Sequence, residues 1–242
     1  MNYEEITFKD SNIIKRYLQR MRLITAIQSS IKYINSMENM SICDFGAGNG
    51  ELVKYIVKNY KNPLITCYEP TTKIYREAKK NLLNYNAKIT HKVDDLPVNS
   101  YDVIFCLEVF EHLPPNKTKQ TFDLFKRLLK KEGLIIIGIP IEIGIQALYK
   151  GLFRMNRRYG SFDANIKNVI KSIFMNPPID RPIINISPGF PYYSHHLGFD
   201  YRVFLKECKN NFKIIDKSAS PYNLFGLCLM PEMNLILQKY TH

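Results

Sequence analysis

Apolar residues recur at helical spacing over residues 11–37: Ile13, Ile14, Leu18, Met21, Leu23, Ile24, Ile27, Ile31 and Ile34, with Lys and Arg between them. The pattern predicts a long amphipathic helix, with Asp10 or Ser11 as its cap. The period then changes. Residues 40–45 form a short apolar run ending in glycines, followed by a predicted helix over 49–60. A strand over 64–68 and a helix over 71–83 come next, then a weaker strand over 88–93. Val103, Ile104 and Phe105 make 101–107 a strong strand. Residues 117–131 place Phe122, Leu124, Phe125, Leu128 and Leu129 on one helical face. Gly133 reads as the stop of that helix, before an apolar strand over 134–139. Apolar strands alternating with helices predict a parallel sheet covered on both faces.

From about 141 to 199 the alternation stops, and Pro177, Pro178, Pro182, Pro188 and Pro191 fall close together. Two helices are expected here, over 141–153 and 163–174, then an irregular Pro-rich loop. Long insertions of this kind are usually functional. A helix over 201–211, a strand over 212–218 and a final strand over 233–239 restore the pattern. The chain thus divides into an N-terminal helical segment (1–38), an α/β core (39–140), a helical and Pro-rich lid (141–199) and a C-terminal helix and strand pair (200–242) that completes the sheet.

Composition adds limits. The 242 residues are 45% hydrophobic and 23% charged, which is globular and excludes wholesale disorder. The net charge of +12 suggests an anionic partner, against the ordinary reading of solvated Lys-rich helix faces. The five cysteines contain no C-x-x-C pair, and Cys43, Cys67 and Cys106 fall in predicted strands. Buried, reduced thiols and a cytoplasmic location are expected. The acidic, polar first residues are unlike a secretory signal, and no apolar run is long enough for a membrane span.

The run Cys43-Asp44-Phe45-Gly46-Ala47-Gly48-Asn49-Gly50-Glu51 closes the first strand and opens a helix. Ligands of open α/β sheets sit at the carboxyl ends of the strands, where glycines admit close backbone approach. Glu51 stands where a dinucleotide fold has its third glycine, and its carboxylate would repel a pyrophosphate. The loop therefore suits a nucleoside without phosphate. Glu69, about twenty residues on and ending the second strand, is placed to accept from both hydroxyls of a ribose.

These residues, with Asp94-Asp95-Leu96-Pro97 and Tyr101-Asp102-Val103-Ile104, resemble class I S-adenosylmethionine-dependent methyltransferases over residues 40–140 and more weakly over 195–240. The resemblance implies a doubly wound α/β fold with a seven-stranded, mostly parallel sheet whose last strand is antiparallel, here with a helical lid after the fifth strand. It implies S-adenosyl-L-methionine as cofactor. Asp44 and Gly46 would lie beside the methionine part, Gly48 and Gly50 would back the loop, and Glu69 would bind the ribose. Asp94 or Asp95 would reach the adenine. Ala47 and Leu107 complete the implied cofactor set.

After the fourth strand come Glu108-Val109-Phe110-Glu111-His112. This E-x-x-E-H grouping resembles ubiquinone-biosynthesis O-methyltransferases and small-RNA 3′-terminal 2′-O-methyltransferases, in which the two Glu and the His hold a divalent metal. The RNA enzymes add a later His, for which His195 and His196 are candidates. Methyl transfer to an alcohol needs its proton removed, and a divalent cation lowers that pKa. Glu108, Glu111, His112 and His196 would suit Mg²⁺, Mn²⁺ or Zn²⁺. Alternatively Glu111, His112, His195 or His196 serves acid–base chemistry without metal, or Glu111-His112 is structural.

The insertion carries Arg154, Arg157, Arg158, Lys167, Lys171 and Arg181 against Asp163 and Asp180. As a basic lid it would grip a phosphate or carboxylate; as helix surface it would be merely solvated. Ile139-Pro140-Ile141-Glu142-Ile143-Gly144 and His196-Leu197-Gly198-Phe199-Asp200 are similar to bacterial methyltransferases of surface polysaccharides. The expectation is O-methylation of a small anionic acceptor, such as a nucleotide sugar, a sugar phosphate or a glycan unit. The rivals are an RNA 2′-O-methyltransferase and a non-catalytic binding protein of the same fold. The stretch Leu107-Glu108-Val109-Phe110 lacks the N/D-P-P-Y/F pattern of amino-purine methylation.

Overall fold

The computed structural model describes residues 13–187, 190–222 and 226–240. Its elements in chain order are α1 (Ile13–Ile31), β1 (Ser41–Phe45), α2 (Glu51–Asn59), β2 (Leu64–Tyr68), α3 (Thr72–Asn81), β3 (Ala87–Thr90), β4 (Tyr101–Leu107), α4 (Pro115–Leu128) and β5 (Leu129–Pro140). There follow α5 (Ile145–Arg158), α6 (Ile166–Ile173), β6 (Ile183–Ser187), β7 (Phe190–Tyr193), α7 (Tyr201–Asn211), β8 (Lys213–Ser220) and β9 (Glu232–Gln238). The expected caps of α1, Asp10 and Ser11, lie outside the described residues.

Seven strands form one sheet in the order β3-β2-β1-β4-β5-β9-β8. β1 to β5 pair in parallel, and β9 runs antiparallel to both β5 and β8. This is the seven-stranded, mostly parallel sheet that the family resemblance implies, and its first five strands are the parallel sheet that the residue pattern predicts. The strand order reverses between β1 and β4, so a crevice opens at the carboxyl ends of those two strands.

Each face of the sheet buries one apolar stripe. On one side Phe122 and Phe125 of α4 and Phe204 of α7 pack with Phe110, Ile135 and Leu235. On the other, Leu23 and Ile27 of α1 join Leu52 and Ile56 of α2 over Ile42, Val103 and Ile136. Complete burial of each such side chain stabilises by about 1.5–3 kcal/mol.

Three expectations are corrected. Gly133 does not end a helix: α4 stops at Leu128, and Gly133 lies inside β5. A Cβ there would come within 2.9 Å of the Tyr101 carbonyl oxygen, so a glycine is required by strand approach. The first insertion helix starts at Ile145, because Ile141 is buried and its N–H donates to the Pro231 carbonyl. The Pro-rich stretch is not irregular throughout. β6 and β7 form an antiparallel hairpin, pairing Ile183 with Tyr193 and Ile184 with Tyr192. Pro191 opposes Asn185 in that pair, which a two-stranded ribbon tolerates because its outer edges need no ladder partner.

Candidate active site

The glycine loop turns out of β1 on three positive-φ residues, Gly46 (79°), Gly48 (55°) and Gly50 (82°). A Cβ on Gly46 would overlap Val109 Cγ2, so the loop can lie this close to the end of β4 only as glycine. Gly46 and Ala47 donate their N–H groups to the Tyr68 carbonyl at 2.8 and 3.0 Å, which ties the loop to β2. Glu69 follows β2 and is buried. Its Oε2 accepts from Gly48 N at 3.1 Å and its Oε1 from Thr71 N at 2.8 Å. Burial raises its pKa, and those two N–H groups pull it back. Asp44 is buried one residue inside β1, with Oδ2 lacking a hydrogen-bond partner. Burial, then the neighbouring Glu69 charge, push its pKa to about 7.

A cavity of about 720 Å³ begins at Gly46, Gly48 and Glu69 and passes Glu108 and Val109. It continues between α4 and the β6–β7 hairpin, where Leu124, Phe190 and Tyr192 wall it and Lys117 and Arg127 add charge. Asp94 and Asp95 lie in the short 3-10 turn Val93–Asp95. Val93 lines the cavity, whereas Asp95 Oδ2 accepts from Thr90 Oγ1 at 2.5 Å. Leu107 points elsewhere: its Cδ2 would meet a Cβ on Gly138 of β5.

Beyond β4 the chain passes through Glu108, whose φ of 55° is unusual for a residue with a side chain, into the turn Phe110–His112. Glu111 is fully buried and neither carboxylate oxygen has a hydrogen-bond partner. His112 Nδ1 lies 2.7 Å from the Tyr193 carbonyl oxygen, so that nitrogen carries the proton and donates. Its Nε2 lone pair then faces His196 Nε2 at 3.1 Å. Glu111 Oε1 is 3.8 Å from His112 Nε2 and 3.9 Å from His196 Nε2. Tyr192 stacks on the His112 ring, centroids 4.2 Å apart, and so joins this group to the cavity wall. Burial lowers the His112 pKa to about 4, with the Tyr193 carbonyl pulling the other way. Burial, then His112, push His196 well below the ordinary imidazole value. Both rings are neutral bases at pH 7. Burial raises Glu111 strongly, and the Glu108 charge adds to the effect.

The structure brings His196, not His195, to Glu111 and His112, with the donor atoms of all three within 4.8 Å of one another. His195 Nδ1 faces Asp163 Oδ1 at 3.2 Å inside the lid. Glu108 stands beside the group and is engaged by Arg22 of α1, whose Nη2 is 3.5 Å from Oε2. Arg22 also forks onto Glu232 at the start of β9. Burial pushes Glu108 to about 7 while Arg22 opposes the shift. Nothing local in the sequence marks Arg22 as a partner of this site, since only the tertiary packing of α1 brings it there. Three donors of carboxylate and imidazole type, with orphaned carboxylate oxygens and one tautomer fixed by a backbone carbonyl, fit a divalent cation.

The basic residues of the insertion are mostly spoken for. Arg154 forks onto Glu142 at 2.7 and 2.9 Å, and Lys150 reaches the same carboxylate at 2.9 Å. Arg158 bonds Asp163 at 2.5 Å. Arg181 donates to the carbonyls of Glu111 and His195 and lies over the Tyr193 ring at 4.2 Å. These arginines hold the lid together, so they are not a free grip for an anionic acceptor. Internal pairing of buried charges wins over display to solvent because an unpaired buried charge costs several kcal/mol.

The family model described as a methyltransferase domain matches residues 43–135. A curated relative, (S)-coclaurine N-methyltransferase of Thalictrum flavum subsp. glaucum, is 31% identical over 110 residues, covering 40% of this chain. The chain spans 28% of the length of that relative. The fold resembles the PH0226 protein of Pyrococcus horikoshii OT3, with TM-score 0.60, 13% identity, and coverage of 98% of this chain and 96% of that one. It also resembles magnesium protoporphyrin IX methyltransferase of Synechocystis PCC 6803 with bound SAH, with TM-score 0.59, 16% identity and coverage of 98% and 92%. The 1,6-didemethyltoxoflavin-N1-methyltransferase of Burkholderia thailandensis matches with TM-score 0.57, 12% identity and coverage of 98% and 85%. The matched methyltransferase domain lies on the glycine loop, Glu69 and most of the parallel part of the sheet that carries them, and the sheet has the fold of those methyltransferase structures.

Proposed function

We propose that this chain transfers the methyl group of S-adenosylmethionine to a hydroxyl oxygen of a small acceptor. The observation that carries this reading is the pairing of two neutral imidazoles, His112 and His196, beside Glu111 and directly behind Tyr192, which lines the cavity and stacks on the His112 ring. Methyl transfer from a sulfonium has a good leaving group already. The protein must align the acceptor and receive its proton. In this reading Glu69 holds the ribose with the lone pairs left after Gly48 and Thr71. Asp44, Gly46, Ala47 and the loop at Gly48 and Gly50 flank the methionine part, and Val93 with the turn at Asp94 and Asp95 borders the adenine.

The acceptor oxygen would sit near this pair, and His112 Nε2, the nitrogen left unprotonated by the Nδ1–H bond to the Tyr193 carbonyl, would take up its proton. A divalent cation held by Glu111, His112 and His196 would supply the same service by lowering the hydroxyl pKa. The acceptor is a small anion, such as a nucleotide sugar, a sugar phosphate or a glycan unit. It lies between α4 and the β6–β7 hairpin, with Lys117 and Arg127 as its cationic partners and Phe190 and Tyr192 as its stacking surface. The segment 141–199 acts as its cover, on the core of 39–140 flanked by 1–38 and 200–242. Buried free thiols at Cys43, Cys67, Cys106 and Cys208 suit a reducing compartment such as the cytoplasm.

A second reading, methylation of a ribose 2′-hydroxyl in RNA, is favoured by the same joining of His196 to the E-x-x-E-H segment and by the net charge of +12. Calorimetric titration with S-adenosylhomocysteine followed by labelled methyl transfer separates the possibilities. Transfer to sugar phosphates or nucleotide sugars supports the first reading. Transfer to short RNA, with steep salt dependence, supports the second. Cofactor binding without transfer to any hydroxyl acceptor, but transfer to amines, overturns both.

A further inference from the structure

We propose that the outer face of α5 and α6 docks on an anionic lipid bilayer. Helix α5 is amphipathic in the reverse sense for a surface helix. Its polar side chains Gln146, Lys150 and Arg154 point inward, where Glu142, Asp163 and main-chain carbonyls hold them. Its apolar side chains point out: Ile145, Leu148, Leu152 and Phe153 are exposed, the last two by 56% and 50%. They recur at positions i, i+3, i+7 and i+8 and so share one stripe.

Helix α6 crosses α5 where a Cβ on Gly151 would meet Val169 Cγ1 at 2.5 Å, so the two helices are in direct contact. It too leaves Ile166, Ile170 and the following Phe174 exposed, Phe174 by 78%. Exposed large apolar side chains gathered on two adjoining helices are the kind of surface that marks an interaction site.

Charge decides the occupant. The cations that the lid does not consume are Arg157, Lys167 and Lys171. Arg157 lies over Phe153 at 5.4 Å, and both lysines are exposed on α6 without an ion pair among the described residues. The acid between the helices, Asp163, is buried and paired. A two-fold contact between copies would set these cations against themselves, since such an interface pairs one patch with its own image. Large apolar side chains flanked by Arg and Lys instead match a helix pair lying in the headgroup region of an anionic membrane. No helix among the described residues is long and apolar enough to cross a membrane, so the contact is peripheral.

The test is sedimentation of the whole chain with phosphatidylcholine vesicles, with and without phosphatidylglycerol, at low and moderate salt. Binding should need phosphatidylglycerol and weaken with salt. The double variant Leu152→Ser/Phe153→Ser and the double variant Lys167→Glu/Lys171→Glu should each weaken it on the order of tenfold. All four side chains are on the surface, so unfolding temperature and S-adenosylhomocysteine affinity should stay unchanged and report intact protein. Failure to bind phosphatidylglycerol vesicles would overturn the proposal. So would binding that the two variants leave intact, or light scattering that shows a dimer abolished by Leu152→Ser/Phe153→Ser.

Discussion

His112 and His196 meet Nε2 to Nε2 at 3.1 Å although they are 84 residues apart in sequence, one before the lid insertion and one near its end. The contact is oriented from outside. The Tyr193 carbonyl fixes the His112 tautomer, and Arg181 pins the backbone at Glu111 and His195 on both sides of the pair. Under the proposed function, this pair with the buried carboxyl beside it is the proton-accepting or metal-holding group.

Replacing either ring should therefore separate binding from chemistry. His112→Ala and His196→Ala are each expected to lower methyl transfer by about 10²–10⁴-fold, the usual contribution of a positioned base. S-adenosylhomocysteine affinity should change by less than about threefold, because neither ring touches Glu69 or the glycine loop. Assays in chelator discriminate the two roles: loss of turnover restored by Mn²⁺ or Zn²⁺ marks a metal, and full turnover in chelator marks metal-free base catalysis.

Glu69→Ala should weaken S-adenosylhomocysteine binding by about 10–100-fold, equivalent to two lost hydrogen bonds to a charged acceptor. Glu69→Gln should retain part of that affinity. The fold should survive, since the side chain bonds loop groups of Gly48 and Thr71 and no core strand or helix interior. Unaltered calorimetric affinity in Glu69→Ala would remove the ribose assignment.

The glycine at position 46 carries both a left-handed φ of 79° and a close approach to Val109. Gly46→Ala should cost about 1–3 kcal/mol in denaturant unfolding through overpacking and backbone strain. Adding Val109→Ala should recover the packing part and leave the strain, so a double-mutant cycle should show positive coupling. Equal losses in the two backgrounds would show that Val109 does not limit the loop.

Glu142 is a fully buried carboxylate held by Lys150 and Arg154. Burial works against its charge, but the two cations win and keep its pKa far below the usual value of 4.5. A depressed folded pKa means that the unfolded chain takes up the proton first. The stabilisation is thus complete above about pH 4.5 and is lost as pH falls toward the folded value. Arg154→Met should cost about 3 kcal/mol at pH 7, the low end for a broken buried pair because Lys150 remains. It should also flatten the acid limb of the stability profile. Urea unfolding at pH 7 and pH 4 measures both effects.

The alternation of apolar strands and amphipathic helices was legible because each signal is local. β2, β4 and α7 occupy the residues their periodicity indicates, and the glycine loop lies where a strand hands over to a helix. Glu69 was legible for the same reason, since its distance from the loop follows from one strand–helix–strand unit. The end of α4 was not, because Gly133 serves a close approach to Tyr101 across the sheet that no local rule expresses. The β6–β7 hairpin was hidden by prolines that a short ribbon tolerates.

The charges of the insertion show the limit most plainly. Composition left Arg154, Arg158 and Arg181 open between a grip on a ligand and a solvated helix face. The tertiary structure assigned them to Glu142, Asp163 and backbone carbonyls. The choice between His195 and His196, and the arrival of Arg22 at Glu108, were settled in the same way. Periodicity acts between residues a few positions apart, so the chain alone determined the sheet, the helices and the cofactor loop. Pairing of buried charges acts through space at 3–4 Å, so only the folded chain decided which basic groups face the cavity, which hold the structure together and which imidazole joins Glu111 and His112.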